Sequence, residues 1–303
     1  MNNPGKLIVT GANGFVAGSV LTLAGQEWEV HAVSRGAPPA RHGQIRWHTC
    51  DPQKPEQLTQ LFQEVKPDAV IHTAALADID FCQSHRKLAQ VVNVDLTRTL
   101  AGLCGNTGAR LVFCSTDTIF DGEQPLYDED SPPTPINFYA ETKVEAEQIV
   151  ARLGEKSVIA RLSLVVGLPV MGAGNSFLQR MIATLKAGQT VAATEREIRT
   201  PVDVITVGRA LLELAAGHHS GIFHLAGHDR LNRFEIAQKI AARFGFPPER
   251  VIALPVAALP GRAARPRDAS LNNAKACRQL KTPMRTLDEG LSLILETWET
   301  SIS

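Results

Sequence analysis

Apolar and β-branched residues gather in six short runs, at 6–10, 29–33, 45–49, 69–73, 111–114 and 157–162. Between them, apolar positions return every three or four residues, as on one face of a helix. Continuous runs of this length suit strands buried on both faces. Their alternation with helical stretches predicts an α/β fold, a doubly wound parallel sheet covered by helices. Glycine and proline become dense after residue 166 in "GLPVMGAGNS" and again in "LPVAALPGRAARPRD" at 254–268. Such punctuation places both stretches outside the regular layers. Between them, "TPVDVITVGRALLELAAG" and "GIFHLAG" read as a helix and a strand that return to the main sheet. The expected division is a larger unit of 1–166 plus about 201–225, and a smaller, discontinuous C-terminal unit of about 167–200 plus 226–303.

The first run leads directly into "TGANGFVAG" at 10–18. Gly11, Gly14 and Ala17 form a Gly-x-x-Gly-x-x-Ala turn, in which small residues let the backbone around Asn13, Phe15 and Val16 approach a pyrophosphate. Negative charge is favoured there by the amino end of the following helix. This makes the larger unit a Rossmann-type dinucleotide-binding domain. The second run ends in Ser34-Arg35, where an NAD-selective site would carry an acid for the ribose 2′-hydroxyl. A hydroxyl and a guanidinium suit a 2′-phosphate instead, so NADP(H) is expected, with NAD(H) as the alternative. Asp51, just after the third run, either caps the adjacent helix or meets the adenine amino group.

The fifth run closes on Ser115-Thr116-Asp117, and about twenty residues later comes "NFYAETKVEAEQIV". There Tyr139 and Lys143 stand four apart, on one face of a helix. An ammonium beside the phenol would favour phenolate and draw its pKa towards neutrality. With Thr116 bonding the same substrate oxygen, the three would polarise a carbonyl for hydride attack. Any one of these signals is common, but their order and spacing together are not.

Composition narrows the partners. The chain has 303 residues, 44% of them hydrophobic, and its 31 basic and 31 acidic side chains cancel. No basic block points to nucleic acid or an anionic membrane, which leaves a small molecule as the expected ligand. Only three consecutive apolar residues follow the amino-terminal Met-Asn-Asn-Pro-Gly-Lys, too few for a signal or a span, so a soluble, cytoplasmic protein is expected. Five cysteines without Cys-x-x-Cys spacing read as reduced structural thiols, with no metal site.

These motifs resemble the extended short-chain dehydrogenase/reductases, and within them the dTDP-4-dehydrorhamnose reductase-like group. "TGANGFVAG", "IHTAALADIDFCQ", "VNVDLTRTL", "CSTDTIFDGE", "FYAETKVEAE" and "ARPRDASLNNAKACRQL" carry the resemblance across nearly the whole chain. It implies Tyr139 as general acid, Thr116 orienting the carbonyl, and Lys143 binding the nicotinamide ribose. It further implies Ala74 and Ala75 along the cofactor path, Asn93 as a brace, and Ser163 near the nicotinamide. The substrate implied is a nucleotide-sugar bearing a 4-keto group, and pairing into a homodimer is a family habit. The substrate side departs from the pattern. Thr118 and Leu164 stand where the group's reductases commonly carry aromatic rings, beside Asp117, while Arg199, Arg262, Arg265 and Arg267 are candidates for a diphosphate. Two alternatives accompany the reductase: a sugar-nucleotide epimerase, and a non-catalytic NADP-binding regulatory subunit.

Overall fold

The computed structural model describes residues 4–25, 27–39, 43–169, 171, 176–254 and 262–302. Parts of both Gly/Pro-dense stretches, 172–175 and 255–261, lie outside the described residues. All six apolar runs are strands: β1 (Gly5–Thr10), β2 (Trp28–Ser34), β3 (Arg46–Thr49), β4 (Ala69–His72), β5 (Arg110–Thr116) and β6 (Ser157–Leu162). Four short strands follow, β7 (Val165–Val166), β8 (Val191–Ala193), β9 (Ile198–Arg199) and β10 (Val202–Asp203), then β11 (Gly221–Leu225), β12 (Leu231–Asn232) and β13 (Val251–Ala253). The main sheet has seven strands, all parallel, in the order β11-β6-β5-β4-β1-β2-β3. Chain direction across the sheet reverses between β1 and β4. That switch point opens a crevice at the carboxyl ends of the strands, where doubly wound folds bind ligands.

Alternation along each strand divides the core. Leu7 and Val9 on β1 face one side, against α1 (Phe15–Leu23), while Ile8 faces the other, against α2 (Pro55–Val65). Two short helices, α3 (Ile79–Ser84) and α4 (Arg86–Gln90), lead to α5 (Leu96–Thr107), which shares the second side with α6 (Phe138–Ala151). The smaller unit gathers α7 (Phe177–Lys186), α9 (Arg233–Arg243) and α11 (Leu287–Ile302) around a third core that includes Met181, Ile240 and Leu291. Between α7 and α9 in the chain, α8 (Val204–Ala216) returns to the main layer and packs on α1. A Cβ on Gly208 would lie 2.7 Å from Ser19 Oγ, and that hydroxyl donates to the Val204 carbonyl at 2.9 Å. Residues 274–284 were expected in the smaller unit, yet Ala276 on α10 (Ala274–Gln279), Leu280 and Met284 join the sheet's own core. They cover the flank that β11 presents as the last strand.

Two buried histidines tie layers together as neutral rings. The Thr97 hydroxyl gives its proton to the Asn93 carbonyl at 2.7 Å, so its oxygen accepts from His72 Nε2 at 3.0 Å. His72 Nδ1 then accepts from Thr10 at 2.7 Å. Burial, with Lys143 nearby, lowers the His72 pKa to about 3. His224 donates from Nδ1 to the Asn272 carbonyl at 3.2 Å and turns Nε2 towards Arg161 at 3.4 Å. Burial and that guanidinium lower it to about 3 as well.

Both pKa values are depressed on folding, so only the unfolded chain takes up these protons between pH 6.5 and 3, and stability falls as pH drops through that window. From pH 6.5 to 5 each histidine should withdraw about 2 kcal/mol, at 1.36 kcal/mol per unit. Urea unfolding across this range should show His72→Gln less stable than wild type at pH 7 but flatter in its pH dependence. An unchanged slope would contradict the neutral, buried ring.

Candidate functional site

The glycine turn folds as its spacing requires. Gly11 adopts φ +71°, and a Cβ there would stand 2.7 Å from the backbone of Ala74. The turn closes by Gly14 N–H donating to the Gly11 carbonyl at 2.7 Å. Gly14 then precedes α1 without any side-chain cap, so the first N–H groups of the helix remain available to an anion. Phe15 and Val16 contribute only backbone here. Their side chains turn into the third and first cores, because the first turn of α1 must also cover the sheet. A groove of about 300 Å³ runs above the turn. Gly11, Asn13, Gly14, Ser34, Arg35, Asp51, Ala74 and Ala75 all border it. Leu76, Val92 and Leu96 supply an apolar wall that sequence reasoning missed, since nothing local marks a leucine or valine as facing a ligand.

Two polar expectations change. The Ser34 hydroxyl gives its proton to the Gly36 carbonyl at 2.7 Å, so it does not offer that proton to a phosphate. The Asp51 carboxylate accepts from Gln53 N at 2.9 Å in a local turn, and the residue preceding α2 is Lys54, so Asp51 does not cap the helix. Arg35 is exposed at the lip, with no partner among the described residues. The groove, the uncapped helix end and the glycine cradle fit a dinucleotide. Ser115 Oγ, buried beside Thr116, also has no partner among the described residues.

At the end of β5, Thr116 and Tyr139 lie side by side, with Lys143 one helical turn further along α6. Thr116 is followed by a 3-10 turn, Asp117–Ile119, whose Thr118 N–H donates back to Thr116 Oγ1 at 3.2 Å. The Tyr139 phenol lies beside the Thr116 hydroxyl, whose influence works against the rise in its pKa. Its helix α6 starts at Asn137, whose side chain accepts from Ala140 N at 2.9 Å. The preceding π-helical turn, Val91–Asp95, points Asn93 at the same place. Asn93 accepts from Leu76 N at 2.8 Å and donates to the Leu76 carbonyl at 3.1 Å and to Thr142 at 3.0 Å, bracing the loop after β4 against α6.

The electrostatics differ from the expectation of a phenol drawn towards neutrality. Burial pushes Tyr139 well above the ordinary phenol value, and the acidic groups of Asp117, Cys82 and Cys114 add to the rise. The Lys143 ammonium does not offset this. It donates to the Cys114 carbonyl at 2.7 Å and sits 4.0 Å over the Phe113 ring, and burial lowers its own pKa to about 8.

On the side expected to face a substrate, Asp117 and Arg199 are buried, while Asp80 and Arg262 are exposed. Asp117 meets Arg199 Nε at 3.3 Å and accepts from Thr116 at 3.3 Å and Ser163 at 3.4 Å, yet burial still holds its carboxyl above the usual range. Arg199 also donates to the Ile198 carbonyl at 2.7 Å, Arg262 pairs with Glu197 at 3.1 Å, and Arg265 with Asp80 at 2.6 Å. Three of the four arginines named for a diphosphate are thus matched to acids, and Arg267 is exposed. Arg233, at the start of α9, was missed. It lies 4.7 Å over the Phe177 ring, and burial lowers its pKa among Glu197, Arg199 and Asp117. Thr118 bonds Thr116 at 3.1 Å, and Leu164 packs on the third core. All five cysteines are free, no group of metal-ligating residues occurs among the described residues, and no described helix is long and apolar enough to cross a membrane.

The family model described as the RmlD substrate binding domain matches residues 5–300. The chain is 30% identical over 293 residues to a Haloferax volcanii protein named "Probable low-salt glycan biosynthesis reductase Agl14", spanning 94% of this chain and 96% of that one. It is 29% identical over 283 residues to methionine adenosyltransferase 2 subunit beta of Bos taurus, spanning 91% and 82%. Among solved structures, a dTDP-4-dehydrorhamnose reductase from Bacillus anthracis in complex with NADP matches with a TM-score of 0.83 and 28% identity, over 98% of this chain and 99% of that chain.

Gly11→Ala should cost about 1–3 kcal/mol in chemical unfolding, because the methyl group meets backbone at a positive φ. A loss below roughly 0.5 kcal/mol would show that the turn is not built against Ala74.

Proposed function

Because the chain belongs to the RmlD substrate binding domain family, we propose that it is an NADP(H)-dependent reductase of the extended short-chain type. Its proposed substrate is a nucleotide-linked 4-keto-6-deoxysugar. The observation that carries this reading is the buried Tyr139 phenol beside Thr116 at the carboxyl end of β5. Leu76 both packs in the Tyr139 cluster and borders the dinucleotide groove, which joins the two features into one site.

NADPH, when bound, supplies the hydride. The chain supplies position and a proton. The phenol, raised by burial, retains its proton at neutral pH, as a general acid in the reducing direction must. Thr116 adds a second hydroxyl for the same substrate oxygen. Lys143, at about 8, is protonated in most molecules at pH 7 and keeps positive charge in the layer behind the phenol. Gly11, Gly14 and the start of α1 hold the pyrophosphate, and Arg35 the 2′-phosphate, a contact that NAD(H) would lack. Asp117, Thr118, Leu164 and Arg199 border the sugar, between the dinucleotide-binding unit and the smaller unit, whose residues Ala276, Leu280 and Met284 pack on the main sheet. A cytoplasmic location and homodimeric pairing accompany the reading.

The likeness to methionine adenosyltransferase 2 subunit beta, together with Thr118 and Leu164 in place of rings, favours one second reading, a non-catalytic NADP-binding subunit. Wild-type protein incubated with NADPH and a panel of 4-keto sugar nucleotides should consume NADPH. Firm NADPH binding without turnover on any ketone would favour the second reading. Tyr139→Phe should bind NADPH as wild type does and lose turnover by about 10²–10⁴-fold. A loss of only a few-fold would remove Tyr139 as proton donor.

A further inference from the structure

The loop that carries Arg35 is held by one hydroxyl whose geometry is set from outside the groove. Ser34 Oγ donates to the Gly36 carbonyl at 2.7 Å, closing a turn in which Arg35 is the middle residue. The same oxygen accepts from Asn13 Nδ2 at 3.3 Å, reaching across from the glycine turn, and from the indole N–H of Trp47 at 3.0 Å. A hydroxyl has one proton and two acceptor sites. With both acceptor sites filled, the proton has a single remaining direction, towards Gly36. Asn13 also donates to the Ala37 carbonyl at 3.4 Å, and a Cβ on Gly36 would lie 3.0 Å from Asn13 Nδ2. The segment from 34 to 37 is therefore clamped to the glycine turn on one side and to β3 on the other. Trp47 sits on β3, opposite Ala32 in register, and is not among the residues bordering the groove.

We infer that Trp47 is a positioning residue for cofactor choice: by locking the Ser34 hydroxyl, it holds Arg35 where it meets a 2′-phosphate, and so favours NADPH over NADH without touching either. The inference rests on the dinucleotide reading of the groove and deepens it. Ser34 has no proton left for a phosphate, which leaves the discrimination to Arg35. A guanidinium on a floating turn would lose the pre-organisation that makes such a contact selective. NADH carries no 2′-phosphate, and its pyrophosphate would meet the glycine turn, which closes through its own Gly14-to-Gly11 hydrogen bond.

The test is calorimetric titration of NADPH and NADH into wild type, Trp47→Phe, Arg35→Ala and the double variant, with a thermal melt of each. Phenylalanine keeps most of the ring and removes the N–H. NADPH affinity should fall about 3–10-fold in Trp47→Phe, the loss of one neutral hydrogen bond, while NADH affinity changes less than about twofold. The double variant should bind NADPH no worse than Arg35→Ala alone, because both changes act on one contact. Equal weakening of both cofactors, or additive losses in the double variant, would overturn the inference and mark Trp47 as a general support of the fold. Wild type binding neither dinucleotide would instead sink the reading of the groove, and the inference with it.

Discussion

A polar helix face can be buried against a sheet only if each of its groups meets a partner, and on α6 that condition sets the helix's register. Tyr139, Lys143 and Glu147 follow one another at four-residue intervals, all buried. They face the strands beneath: the phenol lies beside the Thr116 hydroxyl, the ammonium donates to the Cys114 carbonyl, and Arg161 grips Glu147 through Nε at 3.1 Å and Nη2 at 2.9 Å. Sliding α6 by one residue would strand three polar groups at once, with the buried ion pair alone worth about 3–5 kcal/mol when one member is left unpaired. The stripe that holds the helix in place is the same stripe that presents the phenol. Arg161 continues it to His224 and lies 5.3 Å from the Phe120 ring centroid, so the helix bearing Tyr139 is tied to the far flank of the sheet.

The same economy appears on the substrate side. Asp117, Glu197 and Asp80 occupy the guanidinium groups of Arg199, Arg262 and Arg265. An incoming diphosphate would have to exchange with these carboxylates. Arrangements of this kind favour an anion that brings additional contacts and disfavour free phosphate. The Asp80 pairing links α3 to the carboxyl-terminal segment, and Asn137, which caps α6, also donates to the Ala264 carbonyl at 3.0 Å. The strap carrying residues 262–265 is therefore attached to the helix that bears Tyr139.

Much of this was legible in the chain because its signals are local. Six apolar, β-rich runs became six strands of one parallel sheet, the predicted return of 201–225 appears as α8 and β11, and the glycine spacing produced a tight turn before α1. What escaped depends on contacts between distant positions. The hydroxyl of Ser34 reads as a phosphate donor until Asn13 and Trp47 are seen to fill its acceptor sites. The four-residue spacing of Tyr139 and Lys143 reveals adjacency but not burial, and burial moved the phenol opposite to the expected direction. The paired strands β7 to β10, β12 and β13 are two or three residues long, too short for a period to register.

The order of the sheet separates two decisions. Thr116 ends β5 and Ser34 ends β2, with β4 and β1 between them, about 14 Å at the usual strand spacing. Groups that far apart without shared partners respond almost independently to substitution. On the proposed reading, selection between the two coenzymes can then act through residues 34–37 and 47, while the groups at the end of β5 stay unaltered. A lineage could trade one coenzyme for the other and inherit its chemistry intact.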